Sequence, residues 1–224
     1  MAFFPFFVDL KGQKVVVAGG GKVALRKVMA LAEYGADITV VAENCCKELM
    51  EYLNQGKILI IKTKYNYISG TDEGKEAFYE QLAFYMAGAK VAILATDDAA
   101  LNHVAALWCR KNGILVNTVD QIKDCDFLFP ALVHRDEVTI GITTGGNSPL
   151  LASRMRKELE EHYPEYIGTA AEWLGWLRQF VKPMQITEQE KKKIYGEMLE
   201  WLLEREADVA EEEVEEHLRE VIHA

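Results

Sequence analysis

Val15-Val16-Val17-Ala18 runs straight into Gly19-Gly20-Gly21 and then into Lys22-Val23-Ala24-Leu25. An apolar strand that ends in a glycine turn and reopens as a helix leaves few folds available. Gly19, Gly21 and Ala24 stand at the G-x-G-x-x-G/A spacing. There the first glycine permits the tight turn, the second lets a phosphate approach the backbone, and the small third residue lets helix lie on strand. An anion would sit on the open N–H groups of the helix start. The turn predicts a Rossmann-type unit holding a dinucleotide, with Gly19, Gly20, Gly21, Lys22 and Val23 as its contacts.

The surrounding pattern supports that unit. Val23, Leu25, Val28, Met29, Leu31 and Ala32 recur at helical spacing, Gly35 can stop the helix, and Ile38-Thr39-Val40-Val41-Ala42 reads as a second buried strand. Glu43 follows it, 24 positions after Gly19. An acidic residue at that point binds the ribose hydroxyls and repels a 2′-phosphate, which favours NAD over NADP. The plainer alternative for Glu43 is a solvated loop glutamate.

A third strand is expected at Ile58-Leu59-Ile60-Ile61, then a helix over 72–87 with Ala77, Phe78, Leu82, Phe84 and Tyr85 as its apolar face. Val91-Ala92-Ile93-Leu94-Ala95 reads as a central strand ending in Thr96-Asp97-Asp98, where either aspartate can cap a helix over 99–111 that stops at Gly113. Ile114-Leu115-Val116-Asn117 is the next strand. Strands alternating with helices indicate a doubly wound parallel sheet, whose ligands bind beyond the carboxyl ends of the strands. The loops after Ala18, Ala42, Ala95 and Asn117 therefore converge on one cleft, which adds Asn117 to the cofactor contacts.

From Asp126 the pattern changes. Segments 127–133 and 138–143 read as two antiparallel strands joined around His134-Arg135-Asp136-Glu137. Thr144-Gly145-Gly146-Asn147-Ser148-Pro149 follows, with Ser148 as N-cap and Pro149 opening a helix to about His162. The rest reads as helical, including a capping box at Thr187-Glu188-Gln189-Glu190 and an apolar face of Trp173, Trp176, Leu177 and Phe180. The expected organisation is a Rossmann domain over 1–118, a small α+β dimerisation element over 119–150 and a helical domain over 151–224.

With 224 residues, half of them hydrophobic, the chain can bury one large core and a smaller second one. Its net charge of −10 is unevenly placed: residues 183–224 hold 13 acidic and 5 basic groups, a balance of −8. The motif-bearing remainder is close to neutral, and the acidic tail argues against nucleic acid and anionic membrane surfaces as partners. No apolar run reaches the roughly 20 residues of a membrane span. Met1-Ala2-Phe3-Phe4-Pro5-Phe6-Phe7 lacks the basic flank of a secretion signal and is expected to pack into a core or interface. Cys45, Cys46, Cys109 and Cys125 form no C-x-x-C pair, so free thiols in a reducing cytoplasm and no metal site are expected.

Taken in register, Ala95-Thr96-Asp97-Asp98, Leu101-Asn102, Val116-Asn117-Thr118-Val119-Asp120, Cys125-Asp126-Phe127 with Phe129-Pro130-Ala131, and Thr143-Thr144-Gly145-Gly146-Asn147-Ser148-Pro149 are far more specific than the glycine turn. Through them, over about residues 5 to 160 apart from the segment near 66–88, the chain resembles the precorrin-2 dehydrogenase family, which includes the N-terminal module of siroheme synthases. The resemblance implies NAD-dependent oxidation of precorrin-2 to sirohydrochlorin by a homodimer, sometimes followed by iron insertion. It places cofactor contacts on the turn from Gly19 to Val23, on Glu43 and Asn44, and on Thr96, Asp97 and Asp98, and it matches the family's catalytic aspartate to Asp120. Two departures stand out. Position 144 is threonine where some members carry a phosphorylated serine, and the 72–87 helix reads as an insertion near the cleft.

Such a reaction removes a hydride and a proton, so one base in a dry, oriented cleft suffices. Asp120 stands at the end of a strand, where partial burial would raise its pKa into a useful range; the alternative is a loop aspartate capping a turn. The carboxylates of the substrate need donors, for which Thr144, Gly145, Gly146, Asn147 and Ser148 offer backbone N–H groups and Arg154, Arg156 and Lys157 follow on the helix. His134 is a further candidate for substrate contact, and His103 is expected at the surface. Three other readings stay open: a bifunctional enzyme that also inserts iron, a non-catalytic NAD-sensing module, and a hydroxy-acid dehydrogenase. The last lacks an obvious histidine beside a substrate arginine. Metal insertion by a separate downstream chelatase is the partner expectation.

Overall fold

Unbroken runs of β-branched and small apolar residues set the central strands of the first half. In the computed structural model, which describes residues 4–65, 67, 72–119 and 121–223 (72 and 73 by backbone alone), the chain divides into two compact units, Met1–Phe129 and Pro130–Ala224.

The first unit is a five-stranded parallel sheet made of β1 (Lys14–Ala18), β2 (Asp37–Ala42), β3 (Leu59–Lys62), β4 (Val91–Leu94) and β5 (Leu115–Thr118). Its strand order is β3-β2-β1-β4-β5, so the winding reverses between β1 and β4. Val15 and Val17 point to one face, with Ile38, Val40 and Ile93, and are covered by α1 (Lys22–Glu33) through Ala24, Val28 and Leu31 and by α2 (Lys47–Asn54) through Leu49. Val16 and Ala18 point the other way, with Ala92, Leu94 and Val116, against α3 (Asp72–Met86) and α4 (Ala99–Lys111). This is the doubly wound architecture read from the alternation of patterns.

Three local expectations change. The short helix α2 adds an element to the expected pattern: Leu49, Tyr52 and Leu53 stand at helical spacing on its inner face, but over eight residues and with no side-chain cap the signal is brief. Helix α3 turns Phe78, Leu82 and Met86 into the core and leaves Phe84 74% exposed, so Phe84 does not belong to the apolar face. That helix connects β3 to β4. Phe4, Phe6 and Phe7 are exposed, so they do not pack in a core of this chain, which leaves the interface half of that expectation; Phe3 lies outside the described residues.

The second unit begins with an antiparallel hairpin, β6 (Ala131–Arg135) and β7 (Val138–Ile142), joined by Asp136 and Glu137, with Asp136 at φ 48°. Val133 and Ile142 pack on Ala152 of α5 (Pro149–His162). Next, α6 (Tyr166–Val181) crosses the hairpin turn at Gly168, where a Cβ would stand 2.7 Å from the Arg135 carbonyl oxygen. Leu177 and Val181 then join Ile194, Met198 and Leu202 of α7 (Glu188–Glu204) and Val214, Leu218 and Val221 of α8 (Glu211–His223) in a helical core. Of the predicted α6 face, Leu177 is buried and Phe180 is exposed. Thr187 and Glu190 form the expected capping box.

Candidate functional site

The glycine turn sits at the carboxyl end of β1, beside the reversal of strand order. Gly19 has φ +114°, and a Cβ on it would stand 2.3 Å from the Ala95 carbonyl oxygen at the end of β4. Its N–H donates to Val41 O at 3.0 Å. A Cβ on Gly20 would stand 2.0 Å from Asn44 O, and Gly20 O accepts the Cys46 N–H at 2.8 Å. Both positions require glycine because protein backbone approaches them. Gly21 is different: a Cβ there would meet nothing within 4 Å. It caps α1 with no side-chain hydrogen bond and no acidic residue in the first turn. The start of α1, with Lys22 and Val23, therefore presents backbone donors to open space, a cradle suited to a phosphate.

At the end of β2, Glu43 and Asn44 are exposed, and the Glu43 carboxylate has no hydrogen-bond or ion-pair partner among the described residues. It is open to hydroxyl donors. Across the reversal point, the β4–α4 loop is held by its own polar groups. Thr96 Oγ1 donates to Asn102 Oδ1 at 2.6 Å, and Asn102 Nδ2 donates to Thr96 O at 3.0 Å. Of the two candidate caps, Asp98 does the capping, accepting from the N–H groups of Ala100 and Leu101 at 2.9 Å each, while Asp97 is exposed. Asn102, 2% exposed, was not singled out as a site residue. Its signal is an asparagine among Leu101, Ala105, Ala106 and Cys109 on the buried face of α4.

The segment after β5 is tied to both neighbours. Val119 N–H donates to Leu94 O at 3.0 Å, and Gln121 Nε2 donates to Ala99 O at 3.1 Å. Asp120 between them lies outside the described residues. The single 3-10 turn Ile122–Asp124 that follows brings the buried Asp124 to 2.7 Å from His103 Nδ1 on α4. Arg110 Nε donates to Asp126 Oδ1 at 2.7 Å, and Asp126 Oδ2 accepts the Val116 N–H at 3.0 Å. Cys125 Sγ accepts the Thr118 N–H and donates to Thr118 O, each at 3.2 Å, and burial pushes its thiol pKa up. Asn117 Nδ2 donates to Phe127 O at 3.0 Å, so its amide helps hold this segment. His103 keeps the expected surface position but carries this clamp, which a 21-residue separation hides from sequence reasoning.

In the second unit, the turn before α5 uses many of its own donors. Gly145 N–H donates to Thr143 Oγ1, Asn147 N–H to Thr144 O and Ser148 N–H to Thr144 Oγ1, at 3.0 to 3.1 Å. The N–H of Gly146 takes no part in those bonds. Ser148 Oγ caps α5 by accepting from Leu151, as expected. Arg154 is exposed and paired with Glu158 at 2.8 Å, an interaction that raises its pKa. Arg156 pairs with Glu160. Among the described residues no cluster of His, Cys, Asp or Glu is arranged to hold a metal ion, and no helix is long and apolar enough to cross a membrane.

Comparison with known proteins bears on both units. Residues 6–131 match the family described as putative NAD(P)-binding, within which the expected cofactor, NAD, falls, and residues 135–162 match the central region of sirohaem biosynthesis proteins. The siroheme synthase of Photorhabdus laumondii subsp. laumondii is 34% identical over 197 residues, covering 88% of this chain and 38% of that protein. That of Psychrobacter cryohalolentis is 36% identical over 200 residues, covering 89% of this chain and 35% of its own length. The chain thus spans little more than a third of these two relatives. A solved structure, SirC, precorrin-2 dehydrogenase, superposes with a TM-score of 0.66 at 25% identity, covering 99% of this chain and all of that one.

Proposed function

Because the chain belongs to the NAD(P)-binding family shared by siroheme synthases and precorrin-2 dehydrogenase, we propose that it oxidises precorrin-2 to sirohydrochlorin with NAD, using Asp120 as the base. The observation that carries this reading is the pair of bonds flanking position 120. They tie Val119 to the end of β4 and Gln121 to the start of α4, on the same sheet edge as the open start of α1.

Bound NAD would supply the hydride acceptor. The protein's part is placement and proton handling. The donors at the start of α1 would hold the pyrophosphate, and Glu43 would accept from the ribose hydroxyls, which disfavours a 2′-phosphate there. Thr96, fixed by Asn102, shapes the floor at the reversal point. The Asp120 carboxylate takes the proton that leaves the substrate as the hydride departs, then passes it to solvent. In the second unit, the Gly146 N–H and Arg154 are the groups proposed to meet substrate carboxylates. The protein is proposed to act as a homodimer and to leave metal insertion to a separate chelatase.

The test is direct. Purified wild type and Asp120→Asn are mixed with NAD and precorrin-2, the absorbance of sirohydrochlorin is followed, and ferrous iron is then added. The variant is expected to bind NAD as wild type does and to lose at least about a hundredfold in turnover, the lower end of a positioned base's contribution. Near-normal turnover in the variant removes Asp120 from the mechanism. Siroheme formed by wild type faster than the protein-free rate selects the bifunctional reading.

A further inference from the structure

Lys27 lies in the second turn of α1, and its Nζ stands 3.9 Å from the centroid of the Phe129 ring. The ring covers one side of the ammonium, leaving its N–H donors to be met elsewhere. Lys14 and Lys90 each donate to a backbone carbonyl, at 2.8 and 3.1 Å. Lys27 has no acceptor among the described residues, and Arg26 beside it has no carboxylate partner. Burial first, then the charge of Arg26, lower the Lys27 pKa to about 8, and the neighbouring group acting the other way is the thiol of Cys125. Among the described residues, two adjacent cations, one half-buried against an aromatic face, thus lack the counter-charge that buried cations normally have.

We propose that Lys27, assisted by Arg26, receives a carboxylate of the tetrapyrrole substrate. This rests on the reading given under Proposed function. Anionic groups could reach α1 from the dinucleotide phosphates as well as from the substrate, but position argues for the carboxylate. The phosphate cradle is at Gly21 and the first turn, whereas Lys27 is a turn further on. It stands over Phe129 and within electrostatic reach of Cys125, both in the segment that follows β5. A polycarboxylate needs local cations to receive it, and this pair has no acidic partner among the described residues.

The full-length chain, as wild type, Lys27→Met and Lys27→Arg, is titrated with NAD and, separately, with uroporphyrin III, a stable octacarboxylated tetrapyrrole whose fluorescence reports binding. Losing one charge-assisted contact is expected to weaken porphyrin binding by about tenfold in Lys27→Met. NAD affinity should stay unchanged, and Lys27→Arg should restore most of the loss. Arg26→Met, with the same pattern at smaller size, serves if Lys27→Met fails to fold. Loss of NAD affinity with porphyrin binding intact assigns the anion to the dinucleotide and overturns the proposal, as does no change in either. If wild type binds NAD but no porphyrin, the substrate reading itself fails. If wild type and Lys27→Met bind porphyrin equally, only the Lys27 assignment fails.

Discussion

Asn102 is enclosed by the apolar face of α4, and both ends of its amide are directed at Thr96. Removing it takes the amide donor from the Thr96 carbonyl and leaves the Thr96 hydroxyl only its longer contacts with the Asp98 backbone, at 3.3 Å. Asn102→Ala is therefore expected to cost about 1–3 kcal/mol, measured by urea unfolding, and to weaken NAD binding in a titration, because Thr96 loses its fixed position. Lys27 makes the opposite prediction for stability. Its pKa falls from 10.5 to about 8 on folding, so the folded state disfavours the charged amine. The penalty is full below pH 8 and is relieved as pH rises from 8 to 10.5. Lys27→Met should accordingly raise stability at pH 7 by about 1 kcal/mol, discounted because the side chain is partly solvated. That gain should shrink toward zero as urea unfolding is repeated at higher pH. A residue that lowers stability yet serves binding is the usual signature of a functional position.

At the scale of elements, the strands were legible because a sheet covered on both faces calls for unbroken apolar runs, of which Val15-Val16-Val17-Ala18 is one, its residues turning alternately to the two faces. Ser148, Thr187 and Asp98 were legible because a cap acts through the backbone two or three residues away, within sight of local sequence. What stayed hidden depends on distant partners. The His103–Asp124 and Arg110–Asp126 pairs form only once α4 and the segment after β5 lie together, and the turn's use of its own N–H groups at residues 145, 147 and 148 depends on backbone angles. Gly19 was legible as a turn residue, but the structure adds a reason: the end of β4 passes across it. Gly19→Ala should cost about 3 kcal/mol, the upper range for overpacking, by thermal or urea unfolding, whereas Gly21→Ala, with open space around it, should leave folding nearly unchanged and weaken NAD binding.

For the whole molecule, each unit has its own core and its own charge. The dinucleotide cradle belongs to the first unit, and 8 of the 10 net negative charges fall on residues 183–224 in the second. NAD at a hundred times its Kd should stabilise the first unit by about 2.7 kcal/mol, read as slowed hydrogen exchange in β1, β2 and β4. The Gly20 carbonyl receives the Cys46 N–H, and the Gly20 Cα abuts Asn44. The part that would grip pyrophosphate and the part that would grip adenosine are thereby riveted together before any ligand arrives. Association should then demand little ordering of the chain, and damage on the adenosine side, even a proline in place of Cys46, should be felt at the phosphates.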